Sequence, residues 1–294
     1  MEINRENVME IIAKSGLKPD KDYGQNYLLD TNICNNIVSL ANISEKDNVL
    51  EIGPGLGSLT HFICLNNSNI TLVDIDQRMV DFLKILYNKP NVSIVLNDIR
   101  KHDVSKYTKI IGNLPYNITT ETVIYLLENA SNAESMVLMC QQEALARFID
   151  LSGKEYGPAS ILVHLLGSIK KNLVVKPGSF YPMPKCSSTV FTINVDKTKD
   201  RELALAVYYL SKKLFLNRRK TIYNNLSSYL GDKEKAISIL NELERYFDES
   251  SVYVKDALSK ATHDIGFGFD DPQMLKQCAD KIREIEDMLE KSWE

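Results

Sequence analysis

Residues 110–120 read IIGNLPYNITT. An apolar pair runs into Gly112, then an amide, Asn113, then Leu114, Pro115 and Tyr116. A turn has backbone reasons to use Gly, Pro or Asn, but none to use a tyrosine. The set suits another task, gripping a flat base by its exocyclic amino group. Such an amine is a poor nucleophile, because its lone pair is delocalised into the ring. The Asn113 side-chain oxygen and the Leu114 main-chain oxygen can accept its two N–H bonds. That favours a pyramidal nitrogen and places stabilisation where charge develops. Pro115 stiffens the turn, and the Tyr116 ring can stack on the base. No strong general base is required. The four histidines, His61, His102, His164 and His263, have no partner at metal-ligand spacing and read as surface or core residues.

The segment VLEIGPGLGSLT sets glycines at 53, 55 and 57 between an apolar run and a helical pattern. Glycine there allows a tight turn and lets a ligand approach the amides at a helix start. The spacing is G-x-G-x-G, not the dinucleotide fingerprint, and a plain strand-to-helix turn would also use it. Two acids sharpen the reading. Glu51 ends the first strand just before the loop. Asp74 ends the next strand about 20 residues on, where a carboxylate takes ribose hydroxyls. In LNDIRKHD, Asp98 ends a third strand and is placed for an adenine amino group. The electrophile expected for the amine is then the sulfonium methyl of S-adenosylmethionine, with catalysis mostly a matter of positioning for in-line transfer.

The elements that must hold these residues follow from periodicity. Strands are expected at VLEI, NITLVDID, NVSIVLND, YTKIIGN and ESMVLMC, with helices at SLTHFICL, QRMVDFLKILY, ETVIYLLENA and QQEALARFIDL. Thr119 or Thr120 is the expected cap of the third of these helices. Strands alternating with helices imply βαβ units and a mostly parallel sheet covered on both faces. From about residue 157 the rhythm changes: a helix at YGPASILVHLLGS, then β-rich IKKNLVVKP and SSTVFTINVD joined by the proline-rich GSFYPMPK. ELALAVYYLSKKLFL opens a helical region. The expected class is α/β, a Rossmann-like methyltransferase sheet over 1–197 followed by a small all-α domain over 198–294.

The chain has 294 residues, 44% hydrophobic and 25% charged, enough for a sizeable core without staples. No apolar stretch is long enough to span a bilayer, and the charged start MEINRENVMEIIAKSG has no signal-peptide core, so the expected compartment is the cytoplasm. The five cysteines are scattered without metal or disulfide spacing. The net charge of −4 argues mildly against a nucleic-acid partner. The charge is uneven, however: the tail after Gly231 is acidic, while KSGLKPDK, IKKNLVVK and the KK…NRRK stretch are basic.

Taken together, GQNYLLD (24–30), LEIGPGLGSLT, the LVDID strand end, LNDIRKHD, GNLPYNITT, EYGPAS, FYPMPKCSSTVF and LFLNRRKTIYNNL resemble, in unbroken order over roughly 15–230, the ribosomal RNA adenine N6-dimethyltransferases. The resemblance implies a cofactor site containing Gln25, Asn26, Leu28, Glu51, Gly53, Gly55, Asp74, Ile75, Asp98, Ile99 and Asn113. It implies a target-base site of Asn113, Leu114, Pro115 and Tyr116, with Phe180 stacking on the other face of an extruded adenosine. Arg218, Arg219 and Lys220 are expected to touch RNA phosphates. The implied partner is ribosomal RNA, in the small subunit or its precursor, for a protein expected to be monomeric. The chain departs from the family pattern in three places. Asp74 stands where Glu is common, Ser187 replaces an acid after the proline-rich loop, and the tail beyond about 245 does not align.

Two enzyme subclasses share these motifs: one dimethylates two adjacent adenosines near the end of small-subunit RNA, the other modifies large-subunit RNA and confers macrolide resistance. The NRRK segment and the long helical tail favour the first. A non-catalytic RNA-binding assembly factor on the same fold is the alternative of another class, against which Asn113 argues. A diverged methylase acting on another RNA or a small adenine-containing molecule is the third.

Overall fold

The computed structural model describes residues 3–238, apart from 21, 22, 116, 152, 153, 216, 218 and 219. Tyr116, Arg218, Arg219 and the acidic tail therefore lie outside the described residues. In chain order come α1 (Val8–Ser15), β1 (Tyr27–Leu28), α2 (Thr31–Leu40), β2 (Asn48–Ile52), α3 (Ser58–Ile63), β3 (Asn69–Asp74), α4 (Gln77–Leu86), β4 (Val92–Leu96) and β5 (Lys109–Asn113). They are followed by α5 (Thr119–Asn129), β6 (Ser135–Gln141), α6 (Gln142–Ile149), α7 (Pro158–Leu166), β7 (Gly167–Val175), β8 (Phe180–Tyr181), β9 (Ser188–Val195), α8 (Arg201–Leu214) and α9 (Ile222–Leu230).

The residues up to Leu145, with Gly167–Asp196, form one compact unit. Its main sheet has the order β4-β3-β2-β5-β6-β9-β7. The first five strands are parallel; β9 is antiparallel to both β6 and β7. Central strands buried on both sides should be near-continuous apolar runs, and Leu50, Leu72, Ile110 and Leu138 are fully buried. From β2 the chain winds outward through β3 to β4, then returns to β5 and winds the other way to β6. Right-handed crossovers in opposite directions put α3 and α4 on one face and α5 on the other. The order reverses between β2 and β5, and the crevice at the carboxyl ends of those strands is where such sheets bind ligands.

Gly112 permits this closeness. It pairs with Ile52 across the two strands, and a Cβ there would sit 3.0 Å from both the Ile52 Cβ and its carbonyl oxygen. The start of α5 differs from expectation. Its cap position is Ile118, with no side-chain bond, and Thr119 lies in the first turn. The Thr119 hydroxyl instead donates to the Pro115 carbonyl at 3.0 Å, bracing the turn that carries Asn113.

Residues 146–166 group with the described residues from Lys197 onward in a second, helical unit. Asp200 caps α8, accepting from the Leu203 N–H at 3.0 Å. The buried Asn225 of α9 donates to the carbonyls of Leu214 (2.8 Å) and Asn217 (2.9 Å). Among the described residues no helix is long and apolar enough to cross a membrane.

Candidate active site

A solvent-open cleft lies at the reversal between β2 and β5, the place where sheets of this kind bind ligands. Gly53 and Gly55 line it from the end of β2, Asp74 and Ile75 from β3, Asp98 and Ile99 from beyond β4. Asn113, Leu114 and Pro115 line it from the end of β5, and Gln25 and Asn26 from the N-terminal arm. Eleven positions expected from the motifs thus converge on one cavity.

The glycine loop is shaped by the acid on the next strand. Gly53, Gly55 and Gly57 all have positive φ, a conformation glycine adopts without steric cost. The Gly55 N–H donates to Asp74 Oδ2 at 3.2 Å, and the Asp76 N–H donates to Asp74 Oδ1 at 2.9 Å. Aspartate, although a methylene shorter than glutamate, therefore reaches the loop and still faces the cleft. Burial pushes the Asp74 carboxyl up to about 6, against the pull of these backbone donors.

Asp98 is the opposite case. Arg100 donates to it through Nε and Nη2, at 3.1 and 2.8 Å, and through its backbone N–H at 3.0 Å. Those bonds hold Asp98 below the usual carboxylate range. The Arg100 Nη1 reaches Glu121 in the first turn of α5 at 2.7 Å. One guanidinium thus joins the Asp98 end of the cleft to the helix that follows the Asn113 turn.

Glu51 does not line the cleft. It is 1% exposed beneath the glycine loop, accepting from the Thr60 hydroxyl at 2.7 Å. Burial, only partly offset by Thr60, raises its pKa to about 8. It supports the loop from below. Leu28 and Phe180 pair across β1 and β8 and are 2% and 4% exposed within the core. As placed, the Phe180 ring has no free face for a base. Lys220 is exposed.

The N-terminal arm is tied down over the cleft by bonds that no local pattern announces. Gln25 Nε2 donates to Asp76 at 3.0 Å, and its Oε1 accepts from the Asp20 N–H at 2.9 Å. Asp76 also pairs with Arg78 at 2.6 Å. Against the push of burial, these donors hold Asp76 below its ordinary range. The Asn113 Nδ2 donates to the Asn26 carbonyl at 3.2 Å. Tyr23, Asn97 and Arg100 also line the cleft. Motif reading passed over them, and the one available signal was their adjacency to Gly24, Asp98 and Ile99.

The residues present fit S-adenosylmethionine. A Cβ on Gly53 would find nothing nearer than the Asn113 carbonyl at 3.9 Å, so the loop leaves open space toward Asn113. Two carboxylates, Asp74 and Asp98, give the cleft hydrogen-bond acceptors, and Ile75 and Ile99 give it apolar surface.

Comparison with known proteins agrees. The family model described as ribosomal RNA adenine dimethylase matches residues 16–248. A protein named ribosomal RNA small subunit methyltransferase A from Alkaliphilus oremlandii is 37% identical over 247 residues, covering 80% of this chain and 85% of its own. The protein of the same name from Streptococcus thermophilus is 33% identical over 259 residues, covering 82% and 87%. A dimethyladenosine transferase from Plasmodium falciparum superposes with a TM-score of 0.62 at 24% identity, over 88% of this chain and 89% of that one. The 23S rRNA methyltransferase ErmE does so with 0.61 at 20%, over 87% and 99%. At those identities the two structures speak for the fold, and the family model with the closer sequences speaks for kinship. By the match over most of its length and by the convergence of its motifs on one cleft, this chain belongs to the ribosomal RNA adenine dimethylase family.

Proposed function

We propose that this protein is an S-adenosylmethionine-dependent methyltransferase that dimethylates N6 of adenosines in small-subunit ribosomal RNA, two adjacent ones near its 3′ end, and acts in the cytoplasm as a monomer. The observation that carries the reading is that Asn113 and the glycine loop line the same cleft. The names of the relatives direct it to the small subunit.

When bound, S-adenosylmethionine supplies a methyl group on a positively charged sulfur. Asp74 would hold ribose hydroxyls, Asp98 would accept from the adenine amino group, and the glycine loop would let the backbone come close. Leu28 and Glu51 contribute from beneath, as packing and as a support for the loop. Asn113 Oδ1 and the Leu114 carbonyl accept the two N–H bonds of the target amine and turn its lone pair toward the cofactor side of the cleft. Pro115 keeps that turn rigid, and Tyr116 stacks on the base. Phe180 would stack on the second face only if its ring left the core in which it packs. Arg218, Arg219 and Lys220 hold RNA phosphates and set orientation without reading sequence.

The test is incubation with labelled cofactor and unmethylated small or large ribosomal subunits, followed by mapping of modified nucleotides. Label on adenosines of the small subunit is the expected result. Label confined to the large subunit would move the protein to the other subclass, and no label on either would remove the reading.

A further inference from the structure

The basic segment IKKNLVVK has no part in the cleft. It runs along β7, the edge strand of the main sheet, to Lys176 just beyond it, and its exposed lysines are Lys170, Lys171 and Lys176. Lys185, in the proline-rich loop before β9, is exposed as well. Successive strand residues point to opposite faces, so Lys170 and Lys171 straddle the free edge. None of the four forms an ion pair among the described residues, whereas Lys14 and Lys109 each have a carboxylate partner. From Gly167 to Val195 the chain has no Asp or Glu, although it carries 39 acids against 35 Lys and Arg.

Edge strands carry charge to discourage pairing with other sheets, which is the plain explanation of these lysines. Lysine is the usual choice for that task, and it accounts for Lys170 and Lys171 within β7 but not for Lys176 and Lys185, which lie beyond the strand. A stretch of one sign, left unpaired, is suited to a polyanion.

The topology gives the stretch a direction. Because β7 and β6 are each antiparallel to β9, β7 runs with the parallel strands. Its last residues, and Lys176 after them, therefore lie at the carboxyl edge of the sheet, the edge where the cleft opens. From Lys176 the chain turns through Pro177–Ser179, where the Gly178 carbonyl accepts from Arg5 and the Ser179 carbonyl accepts from the Leu29 N–H at 2.8 Å. It then enters β8, which pairs with β1, and Tyr27 of β1 lines the cleft. Lys185 follows β8, and β9 begins opposite Gln141, the last residue of β6, again at the carboxyl edge.

We propose that Lys170, Lys171, Lys176 and Lys185 form a phosphate track along β7 and the proline-rich loop, which grips the sugar–phosphate backbone of the RNA substrate and leads it toward the cleft. The track rests on the reading of the protein as an RNA methyltransferase and adds to it a contact surface on the catalytic unit itself. Its contacts are to backbone phosphates, so they position the strand and carry no sequence information.

The test is equilibrium binding of an unmethylated small-subunit rRNA transcript to the full chain between about 50 and 300 mM KCl. Wild type is compared with the fourfold variant Lys170→Gln, Lys171→Gln, Lys176→Gln, Lys185→Gln and with the corresponding fourfold arginine variant. The slope of log affinity against log salt should shallow by about 0.7 for each lost single-strand phosphate contact, up to roughly 3 in all. Arginine should restore it. An unchanged thermal midpoint and cofactor affinity establish that the glutamine variant is folded. Identical slopes in wild type and glutamine variant, or a wild type that does not bind the transcript, overturn the track. Methyl transfer is scored separately. A wild type that binds RNA with a lysine-dependent slope but transfers no methyl group would retain the track and reject the enzymatic reading.

Discussion

The side-chain amide of Asn113 donates from Nδ2 to the main-chain carbonyl of Asn26, 87 positions earlier in the chain, at 3.2 Å. This bond decides which end of the amide is spoken for. With the nitrogen held by the arm, the oxygen is the end left to accept from a substrate amine, which is the polarity that the chemistry requires. Removing the side chain should take away stabilisation that matters mainly in the transition state. Asn113→Ala is expected to lower methyl transfer by about 10²–10³-fold. Calorimetry should find cofactor affinity within a few fold of wild type; unchanged turnover would strip Asn113 of its role.

Cofactor binding should depend on pH through Asp74 and not through Asp98. Burial pushes the Asp74 carboxyl up to about 6, and in the proposed function its ionised form is the acceptor for ribose hydroxyls. Affinity should therefore rise from pH 5 to 7 and level off above, by up to about tenfold per pH unit below the pKa. Arg100 keeps Asp98 ionised throughout that window. Asp74→Asn should flatten the profile, and Asp98→Asn should weaken binding while leaving its slope. A slope that survives in Asp74→Asn would point to another group.

Glu51 gives a stability prediction of definite sign. Its pKa rises from 4.5 to about 8 on folding, chiefly through burial. The stability linked to its proton is complete below pH 4.5 and is lost as pH climbs through 8. Glu51→Gln imitates the protonated form and keeps an acceptor for Thr60. Its melting temperature should match wild type at pH 4.5 and exceed it by several degrees at pH 9, on the order of a few kcal/mol at about 1.4 kcal/mol per pKa unit. Parallel melting curves at all pH values would contradict the buried-acid account.

Gly112→Ala probes the contact between β2 and β5. The added methyl would meet the Ile52 carbonyl and Cβ at 3.0 Å, and backbone cannot step aside as a side chain can. A loss of about 1–3 kcal/mol is expected from overpacking, readable by denaturant unfolding. A neutral result would mean that the two strands can part locally.

Phe180 separates packing from stacking. It is 4% exposed in the core, so Phe180→Ala should cost about 3–5 kcal/mol whatever its catalytic role. Phe180→Leu keeps most of the apolar volume. If the ring stacks on the base during turnover, the leucine variant should melt within a few degrees of wild type yet transfer methyl groups more slowly. Equal rates would confine Phe180 to the core.

The strands and the acids that end them were legible because period and position coincide. Leu50, Leu72 and Ile110 mark buried strands, and Glu51, Asp74, Asp98 and Asn113 fall where those strands stop. What local pattern could not supply is which acceptors are already committed. Nothing near Arg100 announces that it spans Asp98 and Glu121, because the second partner is 21 positions away and is brought there by α5. Gln25 is engaged by Asp76 across 51 positions. Glu51 and Phe180 were legible as important and illegible as buried, since a motif gives residue type and not depth. The cap of α5 failed for a local reason: Thr119 has a better use for its hydroxyl at the Pro115 carbonyl.

The pairing of Tyr27–Leu28 with Phe180–Tyr181 joins chain positions more than 150 residues apart. During synthesis the arm bearing Gln25 and Asn26 emerges first, yet it has no strand to zip to until the proline-rich loop has followed it out. The catalytic mouth is thus among the last parts to close, and a nascent chain stopped before β8 would carry the glycine loop and its acids with no door frame around them.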